Sequence, residues 1–127
     1  MRTMLISALA VLVATLGICC WGIDSIDETV DEMSDMALQL MHYAEMEAYA
    51  DAQDIITIMA NAWQRALPVL NLLTDHDDLH EIGDLLAESE VFLKFRHAND
   101  FYHSMALLDE SLQRLRENER LTLGNLL

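Results

Sequence analysis

The chain has 127 residues with 22 acidic and 7 basic side chains, and its formal net charge is −15. Even so, 53% of its residues are hydrophobic and its mean hydropathy is +0.17. Disordered acidic chains are poor in hydrophobic residues, so this composition excludes a disordered tail. A body this acidic repels phosphate groups, and we therefore expect no nucleic acid among its partners.

The apolar and acidic residues occupy different parts of the chain. Residues 1–23 contain 17 apolar residues and one charge, Arg2. The other 104 residues hold all 22 acids and six of the seven bases, so their net charge is −16. This division predicts two regions, an N-terminal transmembrane anchor at 1–23 and an acidic helical extracytoplasmic domain at 24–127.

The run from Met4 to Ile23 contains 20 consecutive uncharged residues. An α-helix of this length, at about 1.5 Å per residue, would cross the roughly 30 Å hydrocarbon core of a bilayer. Arg2 precedes the run, whereas five acids follow it between Asp24 and Glu32. The positive-inside rule therefore predicts a single-pass cell-membrane protein with a cytoplasmic N-terminus and an extracytoplasmic C-terminal domain. The expected partner of residues 4–23 is the lipid bilayer.

Two alternatives to a permanent anchor stay open. A cleaved signal peptide has a similar charge and hydrophobicity, although residues 17–22 contain no pair of small residues typical of a cleavage site. A lipoprotein signal needs a small residue before its cysteine, whereas Ile18 precedes Cys19 and Cys19 precedes Cys20. Because these are the only cysteines, the domain from Asp24 onward must be stabilised by apolar packing rather than by disulfides.

Four stripes of apolar residues in the acidic region have the spacing of helix faces. The first is a heptad seam that would extend the membrane helix outward: Ile23, Ile26, Val30, Met33, Ala37, Leu40 and Ala44. The second comprises Ala52, Ile55, Met59, Ala62 and Ala66, flanked by Ile56, Trp63 and Leu70. The third comprises Leu79, Ile82, Leu86, Ser89 and Leu93, and the fourth Phe101, Met105, Leu108, Leu112 and Leu115.

The helix boundaries follow from a few local signals. Pro68 predicts a kink or an early end of the second helix. Thr74 or Asp75 is expected to cap the third helix and Asn99 the fourth, which Gly124 would end. Short connections make neighbouring helices antiparallel. The predicted fold class is therefore all-α, with a transmembrane helix that continues into a small antiparallel bundle of about four helices, or two helical hairpins.

Three features give the sequence a resemblance to the bacterial domain of unknown function 4363. They are Trp63 on the second helix, the run from Leu70 to His76 that leads to Leu79 and Ile82, and the C-terminal run from Glu119 to Leu127. The resemblance extends over nearly the full chain. It implies a single-pass membrane protein of spore-forming or related Gram-positive bacteria with no assigned activity, and it transfers no catalytic residue.

The densest polar cluster lies at the start of the third helix. His76 and His80 are separated by four residues, and Asp84 extends the same helix face, so the three are candidate ligands of a divalent metal. The string from His76 to His80 also imitates a zinc-protease signature, with Asp77 in place of the usual glutamate. The alternative interpretation is structural, because Asp75, Asp77 and Asp78 are favourable near the positive end of a helix.

The sequence offers no arrangement typical of nucleophilic catalysis, so we expect neither enzymatic activity nor a cofactor. The leading hypothesis is an uncharacterised, non-enzymatic structural or protein-interaction module at the outer face of a bacterial cytoplasmic membrane. A second copy or another helical protein would pair with the seam formed by Ile23, Ile26, Val30, Met33, Ala37 and Leu40. The alternative function is a metal-binding or metal-responsive domain that uses His76, His80 and Asp84.

Overall fold

The computed structural model describes residues 2–126, without the side chains of residues 19, 20, 22–24, 122, 123, 125 and 126. This part of the chain forms the helices α1 (Arg2–Glu45), α2 (Tyr49–Leu73), α3 (His76–Lys94) and α4 (Ala98–Leu126). It contains no strand. The all-α prediction is confirmed.

Helix α1 is continuous through the apolar N-terminal run and the first stripe. Its 44 residues extend over about 65 Å. Residues 2–18 are exposed, whereas buried positions recur at helical spacing from Ile26 onward. Among the side chains that the structure describes, none of the helices offers a stretch long and apolar enough to cross a membrane. Four positions of the predicted span, Cys19, Cys20, Gly22 and Ile23, lie outside the described side chains.

The helices form an antiparallel bundle. The C-terminal part of α1 packs against α2 and α4, and α3 packs against the same two helices. Links of two or three residues, at 46–48, 74–75 and 95–97, join consecutive helices and force each to reverse direction. Gln113 Nε2 donates to Ser34 Oγ at 3.5 Å, and Arg116 contacts Asp27, so α4 runs opposite to α1.

The core is built from the predicted stripes, with one shift of face. The described members of the first stripe, and all of the third and fourth, are buried. On α2 the buried residues are Ala52, Ile56, Met59, Trp63 and Leu70, whereas Ile55, Ala62 and Ala66 are only partly buried. The larger flanking side chains set the orientation of α2 because they remove more apolar area from water than alanines do.

Helix α2 does not end early at Pro68. It continues to Leu73, with Pro68 exposed inside it, so the predicted early end is wrong. Leu70, beyond the proline, is buried in the core and holds the last turn in place. A proline removes one backbone donor, and tertiary packing of the following turn offsets that loss.

Of the predicted caps, only Asp75 acts as expected. Its carboxylate accepts a hydrogen bond from the Asp77 N–H at 3.1 Å and caps α3, whereas Thr74 ends α2. Helix α4 begins at Ala98 and continues to Leu126, so Asn99 and Gly124 both lie inside it. These two predicted boundaries are wrong, because capping preferences are weak beside the packing of a complete stripe.

Helix α1 ends in a residue with left-handed backbone geometry. Glu47 has φ 59°. The Ala48 N–H donates to the Tyr43 carbonyl at 2.9 Å, and the Glu47 N–H donates to the Ala44 carbonyl at 3.1 Å. This pair of bonds is a Schellman motif, which satisfies carbonyl groups at the end of a helix.

Helix α3 ends in the same way. Arg96 has φ 57°, the His97 N–H donates to the Phe92 carbonyl at 2.8 Å, and the Arg96 N–H donates to the Leu93 carbonyl at 3.1 Å. The Arg96 guanidinium lies 4.7 Å from the centre of the Tyr49 ring, at the start of α2. The links 46–48 and 95–97 therefore meet at one end of the bundle, which we call the distal end.

The opposite end, which we call the base, is formed by residues 25–27, 70–75 and 116–121. Here α4 meets α1 through Arg116 and Asp27, and the link 74–75 joins α2 to α3. The exposed N-terminal part of α1 leaves the bundle at the base. The apolar segment and the distal end are therefore on opposite sides of the bundle.

Candidate functional site

The structure does not bring the predicted metal ligands His76, His80 and Asp84 together. His76 Nδ1 lies 2.9 Å from Asn71 Oδ1 at the start of α3. His76 and Asp84 are eight residues apart on one helix, hence about 12 Å apart along its axis, whereas the ligands of one ion lie about 2 Å from it. Throughout the described part of the chain, no three His, Cys, Asp or Glu side chains form a group that could hold a metal ion.

The same cluster has a clear structural role at the α2–α3 link. Asp75 caps α3, and Asp77 and Asp78 lie in its first turn, where negative charge complements the helix dipole. The hydrogen bond between His76 and Asn71 ties the start of α3 to the last turns of α2. These contacts agree with the structural interpretation of the acidic cluster.

An ionic cluster joins α4 to α1 at the base. Arg116 Nε lies 3.2 Å from Asp27 Oδ1, and Arg116 Nη2 donates to the Asp27 carbonyl oxygen at 3.4 Å and also contacts the Asp31 carboxylate. Arg120 Nη2 lies 3.5 Å from Asp27 Oδ2. The Arg116 and Asp27 side chains are 19% and 31% exposed, so this pair is shielded from solvent more than the ion pairs of Arg114. Asp31 and Arg120, at the edge of the cluster, are exposed. The cluster fixes the position of α4 relative to the exposed segment of α1.

Sequence reasoning missed this ionic cluster because its partners are about ninety positions apart in the chain. The sequence did contain one signal of this cluster, which is the distribution of charge. Residues 24–32 hold five acids without a base, and three of the seven bases fall between Arg114 and Arg120. An antiparallel α1–α4 pair brings these two segments to the same level, although only the tertiary structure selects Asp27 and Asp31.

Glu119 is a half-buried acid at the base. Burial raises the pKa of its carboxyl, and a side-chain hydrogen bond with Thr74 partly opposes that rise. Nearby, Asn118 Nδ2 lies 3.4 Å from Asp78 Oδ2, and Arg114 pairs with Glu81 at 3.7 Å. Several polar side chains of α4 thus contact polar groups of other helices: Gln113, Arg114, Arg116, Asn118 and Arg120.

The distal end contains a small cavity lined largely by aromatic and apolar side chains, including Phe92, Phe101 and Tyr102. Burial raises the pKa of the Tyr102 hydroxyl, and the charge of Glu45 and the neighbouring Tyr49 add to that rise. The Tyr102 hydroxyl therefore stays protonated to a higher pH than that of an exposed tyrosine. A phenol held in its protonated form is a weak nucleophile.

Among the described side chains, an extended exposed apolar surface lies on the N-terminal part of α1. Large apolar side chains are exposed all along it: Met4, Leu5, Ile6, Leu9, Val11, Leu12, Val13, Leu16 and Ile18. Leu5 is 70% exposed and Ile18 is 61% exposed, so exposure persists from one end of this segment to the other. An apolar surface of this extent marks an interaction site rather than an ordinary helix face.

Comparison with known proteins identifies a family. No curated protein matches the chain, and no solved structure matches it. The family model described as "Domain of unknown function (DUF4363)" matches residues 20–126, which include the bundle-forming part of α1 and the whole of α2, α3 and α4. This match confirms the resemblance inferred from Trp63, the 70–76 run and the C-terminal run. The chain belongs to the DUF4363 family.

Proposed function

We propose that this protein is a membrane-anchored, non-enzymatic helical module. In this proposal residues 4–23 lie in the bilayer, and the acidic bundle stands at the outer face of a bacterial cytoplasmic membrane. The observation that carries it is the exposed run of large apolar side chains from Met4 to Ile18. Removal of each such side chain from water contributes about 1.5–3 kcal/mol, which strongly favours a lipid environment for the run.

The charges on either side of this segment support the proposed orientation. Arg2 is the only charge before the run, and acids dominate after it. A cytoplasmic N-terminus follows from the positive-inside rule. With α1 continuous from Arg2 to Glu45, the bundle lies on the other side of the membrane.

The role of the bundle is that of a structural or interaction module. Its described polar clusters hold helices together, through Arg116 and Asp27 and through His76 and Asn71. The seam residues Ile26, Val30, Met33, Ala37 and Leu40, proposed for pairing between chains, are buried in the core of this chain. A partner helix could use them only if the bundle opened, so a partner of the folded module contacts its outer faces.

Alkaline carbonate extraction of bacterial membranes that contain the full chain, tagged after Leu127, tests the anchor. We expect the native chain to stay with the membranes. The double variant Leu9→Arg/Val13→Arg should move to the soluble fraction, because each arginine at the bilayer centre costs about 2.5–3.5 kcal/mol. The matched control Leu38→Arg/Ile58→Arg changes two residues that are exposed on the bundle, and it should stay with the membranes.

Two further measurements complete this test. The intact mass of the membrane-bound chain distinguishes a permanent anchor from a cleaved signal peptide or a lipid-modified cysteine. Protease added to whole spheroplasts should remove the tag if the C-terminus is outside. A native chain that is fully extracted by carbonate, or a tag protected in spheroplasts, would contradict the proposal.

A further inference from the structure

Exposed apolar side chains from three helices occur at the base of the bundle or within about one helix turn of it. Trp21 on α1 is 55% exposed, Leu72 on α2 is 86% exposed, and Leu121 on α4 is 66% exposed. Single exposed leucines are common on soluble surfaces and need no explanation. Three exposed apolar side chains on separate helices, at the end where the apolar segment leaves the bundle, form a surface that does need an explanation.

The helix register places these residues at nearly the same height. Trp21 and Ser25 line one groove with Val69 and Leu70, so α2 approaches this level of α1 as it ends. Gln113 faces Ser34, and α4 then runs on toward the base. At about 1.5 Å per residue along antiparallel helices, Leu72 and Leu121 both lie within about 8 Å of Trp21 along the bundle axis.

That height corresponds to the headgroup zone of a bilayer. If residues 4–23 span the hydrocarbon core, the core ends close to Trp21, and the polar interfacial zone beyond it is about 5–7 Å thick on each side. A tryptophan is favoured in this zone because its ring is apolar and its N–H is polar. The ionic cluster of Arg116 with Asp27 holds α4, and therefore Leu121, firmly against α1 at this level.

We infer that the base of the bundle docks onto the lipid surface, with Leu72 and Leu121 inserted at headgroup level beside Trp21. The inference rests on the proposed membrane anchor and adds to it a second contact between the protein and lipid. The partner of this surface is the outer leaflet rather than a second chain, because α1 itself places the base at the boundary of the bilayer. The bundle would then stand at a fixed angle instead of swinging on a flexible stalk.

Fluorescence from single labelled cysteines in the full chain tests this docking. Cys19→Ser and Cys20→Ser provide the background, and Leu72→Cys, Leu121→Cys, Met46→Cys and Leu9→Cys each carry an environment-sensitive nitrobenzoxadiazole label. All four positions are exposed, so the labels leave the core intact. The vesicles are phosphatidylcholine, since anionic lipid would repel a chain of net charge −15, and they contain lipids spin-labelled at the headgroup or at mid-chain.

We expect the labels at positions 72 and 121 to emit at shorter wavelength than the label at Met46, and to lose most intensity to the headgroup quencher. Met46 belongs to the distal end, about 37 Å along the axis from Trp21, and its label should not be quenched. The label at Leu9 should lose most intensity to the mid-chain quencher.

The outcomes separate the docking from the anchor. If the labels at positions 72 and 121 behave like the label at Met46 while the label at Leu9 is quenched, docking is wrong and the anchor stands. A blue shift at 72 and 121 without quenching by either lipid means that protein covers the base, which also overturns docking. If the label at Leu9 is unquenched as well, the proposed anchor fails together with the docking.

Discussion

Glu47 and Arg96 occupy positions at which glycine is usually preferred. Both have positive φ in a Schellman motif, and a side chain with a Cβ atom is strained there by roughly 1–2 kcal/mol. We expect Glu47→Gly to raise the free energy of unfolding by about 0.5–1 kcal/mol. This gain is the relieved strain minus the stability that is lost because glycine adds conformational entropy to the unfolded chain. Urea unfolding followed by circular dichroism measures this change.

Arg96→Gly is the matched comparison. It relieves the same strain but removes the guanidinium from the Tyr49 ring, a contact worth about 0.5–1 kcal/mol at an exposed site. We therefore expect a smaller gain than from Glu47→Gly, or none. Glu47→Ala keeps the Cβ atom and should bring no gain. An equal effect of Glu47→Ala and Glu47→Gly would show that backbone strain is not the cause.

Glu119 makes stability depend on pH. Because burial raises its folded-state pKa above the ordinary value of 4.5, the folded state binds the proton more tightly than the unfolded state does. The stability gained from this tighter proton binding is complete below the pKa of the unfolded state. It is lost as the pH rises through the pKa of the folded state. Glu119→Gln, which cannot ionise, should therefore stabilise the protein at pH 7 and bring no gain below the ordinary pKa.

The control for this prediction is Glu117→Gln, which removes the same charge from an exposed site on the same helix. Urea unfolding of both variants, from pH 7 to below the ordinary pKa of a glutamate, measures the difference between their free energies of unfolding. The gain of Glu119→Gln over Glu117→Gln should vanish in acid. Equal gains at pH 7 would mean that net charge, and not the burial of Glu119, is responsible.

At the scale of elements, Gly83 and Trp63 set the packing of α3 on α2. A Cβ added at Gly83 would lie 3.7 Å from Trp63 Nε1, which is ordinary contact. Gly83→Ala should therefore stabilise α3 by about 0.5–1 kcal/mol through helix propensity alone. Gly83→Leu, in contrast, must displace the indole and should be destabilising. Thermal unfolding of both variants provides the measurement, and a loss of stability in Gly83→Ala would contradict the observed packing.

The ionic cluster of Arg116 makes a stronger coupling between α1 and α4 than a surface ion pair would. A double-mutant cycle with Arg116→Gln and Asp27→Asn should give a coupling of about 1–2 kcal/mol, because the two side chains are only 19% and 31% exposed and Arg116 Nε lies 3.2 Å from Asp27 Oδ1. The control pair, Arg114 and Glu81, is separated by 3.7 Å with both side chains 47% exposed. Its coupling should be about 0–0.5 kcal/mol, and equal couplings would contradict the prediction.

Helix faces were predictable from the sequence, and helix ends were not. The seam from Ile26 to Ala44 is buried as its spacing predicts, because the periodicity of many residues sums into one strong signal. Pro68, Asn99 and Gly124 each suggested an end that is absent. A single cap or breaker contributes about 1–3 kcal/mol, and a complete apolar stripe packed in the core outweighs it.

At the scale of the whole molecule, the net charge of −15 should make stability depend on salt. Self-repulsion among the acids acts over roughly 30 Å at 0.01 M ionic strength but only about 8 Å at 0.15 M. We expect the Tm of the full chain in zwitterionic micelles to rise with sodium chloride and equally with choline chloride. A rise with sodium alone would indicate a bound cation, and a fall with both salts would show that attractive pairs such as Arg116–Asp27 dominate.

The sequence alone determined the all-α class, the apolar N-terminal run, the core faces and the family, because each depends on composition or on periodicity along the chain. Tertiary structure decided what no local pattern contains. It buried the seam inside the chain's own bundle and joined Arg116 to Asp27 across about ninety residues. It also brought Trp21, Leu72 and Leu121 to one end of the bundle. These placements depend on how antiparallel helices align with one another, which spacing within a single helix does not specify.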